Sequence, residues 1–272
     1  MSPTRLGALL LGLATATGGL AAGQTYGTPH PVPRSTDASN LRRIAERREI
    51  HERFTIGLDA ESRNDWARAA AEFERILQLG PPEPQASTAH YDLALAYALS
   101  HRLDDAAREF RAAIVGDPGF LAAMANLISV DLERNDLREA RLVADRFAAV
   151  APDSARALYS RGIVALRSGD ARTAQSDFGK LLHNDPEYAV AHYDLGIAES
   201  QLQHFAAAER EFSAALAVSP AYARARIALG SVLLKQGRRR DAKAAFARAA
   251  MDSTDDPALH NLAGALRDAI TP

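Results

Sequence analysis

The chain has 272 residues, a formal net charge of −2 and no cysteine. The missing cysteine excludes a disulfide framework, a thiolate zinc site, a thiol nucleophile and a lipid-modified N-terminal cysteine. A charge so close to zero argues against a general nucleic-acid binder, which needs a strong basic excess. The 57 alanines, set against a 6 % aromatic share, favour helices packed closely together.

Residues 1–23 read as a secretory signal. Arg5 supplies a minimal positive start, Leu6–Ala14 a short apolar core, and Ala21-Ala22-Gly23 the small residues for cleavage before Gln24. The apolar run is short and interrupted by Gly and Thr, so no stable membrane span is expected after cleavage; an uncleaved N-terminal anchor is the competing reading. The expectation is an exported protein, periplasmic or secreted, whose mature charge is −2 − 1 = −3 once Arg5 is removed. Residues 24–40, with Pro29, Pro31 and Pro33, form a proline-rich linker. Ser39 is placed to cap the helix that follows, where Leu41, Ile44 and Ala45 share one face.

From there the sequence is periodic. Pro118, Pro152, Pro186 and Pro220 recur every 34 residues, and Pro81 precedes them by 37, its extra three in the loop Pro81–Pro84. Aligning on these prolines gives six units: 50–83, 87–120, 121–154, 155–188, 189–222 and 223–256. Position 20 is alanine throughout (Ala69, Ala106, Ala140, Ala174, Ala208, Ala242), and position 3 nearly so (Ala89, Ala123, Ala157, Ala191, Ala225). Position 24 reads Phe73, Phe110, Ala144, Phe178, Phe212 and Phe246, opposite Gly57, Ala94, Ile128, Gly162, Gly196 and Gly230 at position 8. Small residues let two antiparallel helices approach, and burying each Phe contributes roughly 1.5–3 kcal/mol. Position 15 reads Asn64, His101, Asn135, Gly169, Gln203 and Gly237. Gly accepts a left-handed turn freely, and Asn and His are enriched in one. Asp65, Asp136 and Asp170 follow, placed to cap a second helix that the proline then forbids from continuing. Each unit is therefore helix A, turn, helix B, stop.

This arrangement resembles the tetratricopeptide repeat family. The fifth unit carries it most fully, with Ala-His-Tyr-Asp-Leu-Gly-Ile-Ala at 191–198, then Phe205, Ala208, Phe212, Ala215 and Pro220; the second repeats it with Ala-His-Tyr-Asp-Leu-Ala-Leu-Ala-Tyr at 89–97. The resemblance implies an all-α, right-handed α-solenoid of helix-turn-helix repeats. Arg53, Arg161, and the pair Ile128 and Ala144 depart from the family's pattern, which leaves the first and third units the least defined in local packing. Residues 257–272 close the array as a C-terminal capping helix, with Leu259, Leu262, Ala263, Leu266 and Ile270 at helical spacing after Pro257.

By the same resemblance, positions 2, 5, 9, 12 and 13 of helix A line a concave groove. This implies a partner-binding surface built from Phe54, Leu58, Tyr91, Leu95, Tyr159, Ile163, Tyr193 and Ile197, with the basic residues Arg156, Arg167, Arg224 and Lys235 beside it. Contiguous apolar surface marks binding, aromatic rings give contact area, and Arg directs contacts to carboxylates. The competing reading makes the tyrosines ordinary packing between helices. The expected occupant is a protein or peptide segment, in an envelope or secretion assembly; a small ligand or glycan, or an accessory role beside a separate enzyme, are the alternatives. The Asn and Lys clamp by which some members grip a C-terminal carboxylate is not matched here. Catalysis is poorly supported, and an intrinsic enzyme is the last of the alternatives: there is no phosphate loop, zinc motif or nucleophile elbow. No cofactor or metal is expected, and His90 and His192 recur because the repeat recurs.

Overall fold

The computed structural model describes residues 38–270. The signal at 1–23, and the linker up to residue 37, lie outside the described residues. Among the described residues there are thirteen helices and no strand. They are α1 (Ala38–Ser62), α2 (Trp66–Gln78), α3 (Gln85–Leu99), α4 (Leu103–Gly116), α5 (Leu121–Glu133), α6 (Leu137–Val150), α7 (Ala155–Arg167), α8 (Ala171–Asn184), α9 (Ala189–Gln201), α10 (Phe205–Val218), α11 (Ala223–Lys235), α12 (Arg239–Asp252) and α13 (Pro257–Asp268). None is long and apolar enough to cross a membrane. The linker boundary needs correction. The first helix already runs from Ala38, so Ser39 lies in its first turn and does not precede it, and α1 continues unbroken into the first repeat.

The turns follow the sequence columns closely. All six residues at position 15 take positive φ, from 58° at Asn64 to 64° at Gln203, with 77° at Gly169 and 78° at Gly237. After each, the next backbone N–H returns to the carbonyl five residues earlier, as in Asp65 to Ala60 at 2.9 Å and Asp170 to Ala165 at 2.8 Å, which satisfies a carbonyl that helix A leaves open. The carboxylates of Asp65, Asp136 and Asp170 then accept N–H groups in the first turn of helix B, from Arg68 at 3.2 Å, Glu139 at 3.3 Å and Thr173 at 3.2 Å. The B helices α4, α6, α8 and α10 stop two residues before Pro118, Pro152, Pro186 and Pro220, because the residue preceding a proline is pushed out of the helical region.

The chain divides into two compact units, one up to Val143 and the other from Ala144. In the first, α1 packs on α2, α2 on α3, α3 on α4 and α4 on α5. In the second, α7 packs on α8, and the series runs on through α9, α10, α11 and α12 to α13. The columns explain this stacking. The position-20 alanines are wholly buried in every repeat, and so are the five phenylalanines at position 24 to within 1 %. A Cβ added at Gly57, Gly162, Gly196 or Gly230 would lie 2.6–2.7 Å from the ring of Phe73, Phe178, Phe212 or Phe246 of the same repeat. Ring and missing side chain are thus one packing unit. In the third repeat the sizes are reversed, and Ile128 and Ala144 are both buried.

The arginines that break the apolar pattern are paired across their own helix hairpins. Arg53 of α1 reaches Glu72 of α2 at 2.8 Å as well as Glu49. Arg161 of α7 holds the wholly buried Asp177 of α8 through two bonds of 2.7 Å. His90 and His192 make the same tie at position 4, to Glu109 and Glu211 at 2.8 Å. Their recurrence is a structural fastening between helices A and B. The terminal helix α13 is capped by Asp256, and Ala263 packs on Ala249 and Ala250 while Leu266 and Ile270 meet Leu233 and Phe246. Leu262 does not join this seam and is 48 % exposed. The contacting residues 263, 266 and 270 follow a 3, 4 spacing, and Leu262 falls to one side of it.

Candidate partner-binding faces of the A helices

In the first unit the A helices are α1, α3 and α5. Leu58 is exposed on α1, and Phe54 is half-buried with its ring 6.1 Å from Phe73. On α3, Tyr91 and Leu95 are half-buried. Tyr91 stacks on Phe120 at 4.8 Å and accepts a hydrogen bond from Nδ2 of Asn126 on α5 at 3.1 Å. Helix α5 is buried from Ala123 to Asp131, so Ala125 and Ser129, at positions 5 and 9, are closed off. Asp131 is wholly buried there and is held by Arg134 at 2.7 Å and Arg111 at 3.4 Å.

In the second unit α9 touches both α7 and α11, which makes a wall of A helices. Tyr159, Ile163, Tyr193 and Ile197 are half-buried along it. The tyrosine rings are committed to neighbours. Tyr159 lies 5.9 Å from Phe178 and 5.7 Å from Tyr188, and Tyr193 lies 5.9 Å from Phe212 and 5.2 Å from Tyr222. The Tyr159 hydroxyl donates to Asp194 on α9 at 3.0 Å, and burial with that carboxylate pushes its ionisation far up. These tyrosines weld one repeat to the next and offer an edge to solvent. Arg167 and Lys235 are exposed at the C-terminal ends of α7 and α11, while Arg156 and Arg224 are half-buried near the N-terminal ends. Arg224 borders a shallow depression with Tyr222, Asp252, Asp256 and Leu259.

The residues named from the sequence thus form two sets: Phe54, Leu58, Tyr91 and Leu95 in the first unit, and Arg156, Tyr159, Ile163, Arg167, Tyr193, Ile197, Arg224 and Lys235 in the second. The sequence reading passed over Glu61, at position 12 of the first repeat, where other repeats carry Ala98, Leu132, Leu166 and Leu234. An acid in an apolar column was the available signal. Burial pushes its carboxyl up to about 7. Among the described residues no group of three or more His, Asp or Glu side chains could hold a metal ion.

Tetratricopeptide-repeat family profiles match residues 54–119, 126–171, 160–202 and 201–266. No curated protein matches significantly. Among solved structures, a tetratricopeptide repeat protein from Parabacteroides merdae is 16 % identical with a TM-score of 0.60, over 80 % of this chain and 99 % of that one. MamA from Desulfovibrio magneticus RS-1 is 15 % identical with a TM-score of 0.59, over 63 % of this chain and 97 % of that one. YrrB, described as a TPR protein with an unusual peptide-binding site, is 20 % identical with a TM-score of 0.58, over 70 % and 97 %. At these identities the likeness is one of fold. Helix pairs, turn geometry, seam columns and profile matches agree, and the chain belongs to the tetratricopeptide-repeat family as an all-α solenoid.

Proposed function

We propose that this protein is a non-catalytic scaffold that holds a protein or peptide segment along its A helices, in an exported compartment and within an envelope or secretion assembly. The observation that carries this reading is that apolar residues stay open on the A helices of each unit: Leu58, exposed, and Leu95, half-buried, in the first, and Ile163 and Ile197, half-buried, in the second. The exposed cations Arg167 and Lys235 end two of those helices. Apolar anchors beside directed charges suit an extended or helical protein segment. The residues of Arg5, Leu6–Ala14 and Ala21–Gly23 support export.

A photo-crosslinking residue at Leu58, Arg167 or Lys235 is expected to capture partner in the protein's own cells, and the same residue at Lys180 or Lys243, exposed on B helices, is not. Equal capture at all five sites, or capture from the B helices alone, would overturn this reading. Intact mass of the exported chain, expected to begin at Gln24, checks the compartment independently.

A further inference from the structure

At repeat position 6, polar side chains are paired with the position-5 tyrosine of the preceding repeat. Asn126 donates to the Tyr91 hydroxyl at 3.1 Å, and Asp194 accepts from the Tyr159 hydroxyl at 3.0 Å. Asp92 holds the same place in the second repeat and is nine-tenths buried. The residue at position 5 before it is Phe54, which has no hydroxyl to give. Among the described residues the Asp92 side chain accepts no hydrogen bond, and the one charge bearing on it is that of Glu61. Glu61 is no better served: its Oε1 is fully buried without a hydrogen-bond partner.

Two desolvated carboxyls therefore stand on the A helices of consecutive repeats, with the Glu61 charge bearing on Asp92 and no cation or donor answering either. Buried charges are ordinarily paired, because an isolated carboxylate in a dry site costs several kcal/mol. Among the described residues the wholly buried Asp177 is met by Arg161, and Asp131 by Arg134 and Arg111. Two carboxylates are too few ligands for a metal cage, but they match a guanidinium fork or an ammonium. Leu58 stands one turn before Glu61 and Leu95 one turn after Asp92, so apolar contacts flank the pair.

We infer that Glu61 and Asp92 receive a cationic side chain, arginine or lysine, from the segment bound on the A helices of the first unit. The inference rests on the peptide-binding reading above and adds the chemistry of the occupant: a basic residue bracketed by apolar ones. The aspartate lacks its internal donor because the bound segment supplies it.

The test uses the full mature chain and arrayed nonamer peptides of randomised sequence with the central residue fixed as arginine, lysine, citrulline or norleucine. Arginine- and lysine-fixed pools are expected to be retained about tenfold more strongly than citrulline or norleucine pools, the scale of one charge-assisted contact. Glu61→Gln with Asp92→Asn should erase that preference while leaving general retention in place. Phe54→Tyr is the second variant: it returns a hydroxyl to Asp92 and should weaken the preference without unfolding the unit. Equal retention of all four pools by the wild type, or a preference unchanged in the double variant, would overturn the cation site and leave the groove reading standing. Retention of no pool at all would overturn both.

Discussion

Two glycine-to-alanine changes in the second unit should move stability in opposite directions. Gly179 lies inside α8 with no atom within 4 Å of the Cβ it would acquire. Alanine there should stabilise by about 0.5–1 kcal/mol, through helix propensity and a less free unfolded chain. Gly196 lies inside α9, where the same methyl would sit 2.6, 2.7 and 2.9 Å from Cε1, Cδ1 and Cζ of Phe212. Ordinary carbon contacts are about 3.5–4.0 Å, so the ring must retreat by roughly 1 Å. It has little room to do so: Phe212 is 1 % exposed, packed with Ala208 and Val232, and its ring is 5.9 Å from that of Tyr193. Overpacking of this kind costs about 1–3 kcal/mol. Three clashing ring atoms place Gly196 in the upper part of that range, and the propensity gain offsets part of it. The expected net loss is about 1–2 kcal/mol, so the two variants should differ by about 1.5–3 kcal/mol. Urea unfolding followed by circular dichroism at 222 nm reads this as midpoint shifts of opposite sign. Adding Phe212→Leu to Gly196→Ala should recover part of the loss, the coupling expected of touching residues. Gly196→Ala at or above wild-type stability would refute the argument that column 8 is small because column 24 is Phe.

Other changes test other links. Arg161→Ala strands the wholly buried Asp177 and should cost about 3–5 kcal/mol, whereas Arg161→Met with Asp177→Leu should recover most of it in the same unfolding assay. Gln203 turns the chain at φ 64° without glycine's freedom, so Gln203→Gly should raise stability by about 0.5–1 kcal/mol, read as a higher thermal midpoint. Burial raises Glu61 from 4.5 to about 7, so between those values the folded chain binds more protons than the unfolded one and stability falls as pH rises. The loss should be about 3–3.5 kcal/mol by pH 8 at roughly 1.4 kcal/mol per unit, and Glu61→Gln should flatten that slope in urea titrations across pH 4–8.

Most of the fold was legible because each requirement of the hairpin repeats and is therefore written several times. A left-handed turn leaves Asn, His or Gly in one column, a close crossing leaves Gly or Ala facing Phe, and a stop leaves Pro. Gln203 shows the limit of that logic: its residue type does not favour positive φ, and the helices on either side impose it. The faces of the A helices were legible only in part. Position 5 marks Tyr91, Tyr159 and Tyr193 as wall residues, but not that their rings are held by Phe110, Phe178 and Phe212. Such partners come from a repeat's other helix and from its neighbour, where column chemistry gives proximity and not orientation. Leu262 failed for a related reason, since an apolar spacing on one helix does not say which edge of its stripe meets the preceding pair.

Column breaks nonetheless separate two kinds of residue once partners are known. Arg53 and Arg161 break an apolar pattern, and each meets a carboxylate from helix B of its own repeat. A charge answered inside its own hairpin is accounted for by folding: removing it exposes the other member to the cost of burial, and selection for stability alone would keep both. Glu61 also breaks an apolar column, and Asp92 breaks the tyrosine pairing that Asn126 and Asp194 keep. Neither is answered within the first unit, and together they lower its stability at neutral pH. A repeat protein could lose both by taking leucine at 61 and tyrosine at 54, each already used at the same column elsewhere in this chain. Residues that weaken the fold, with stabilising replacements one column away, are better explained by what they bind than by what they hold together.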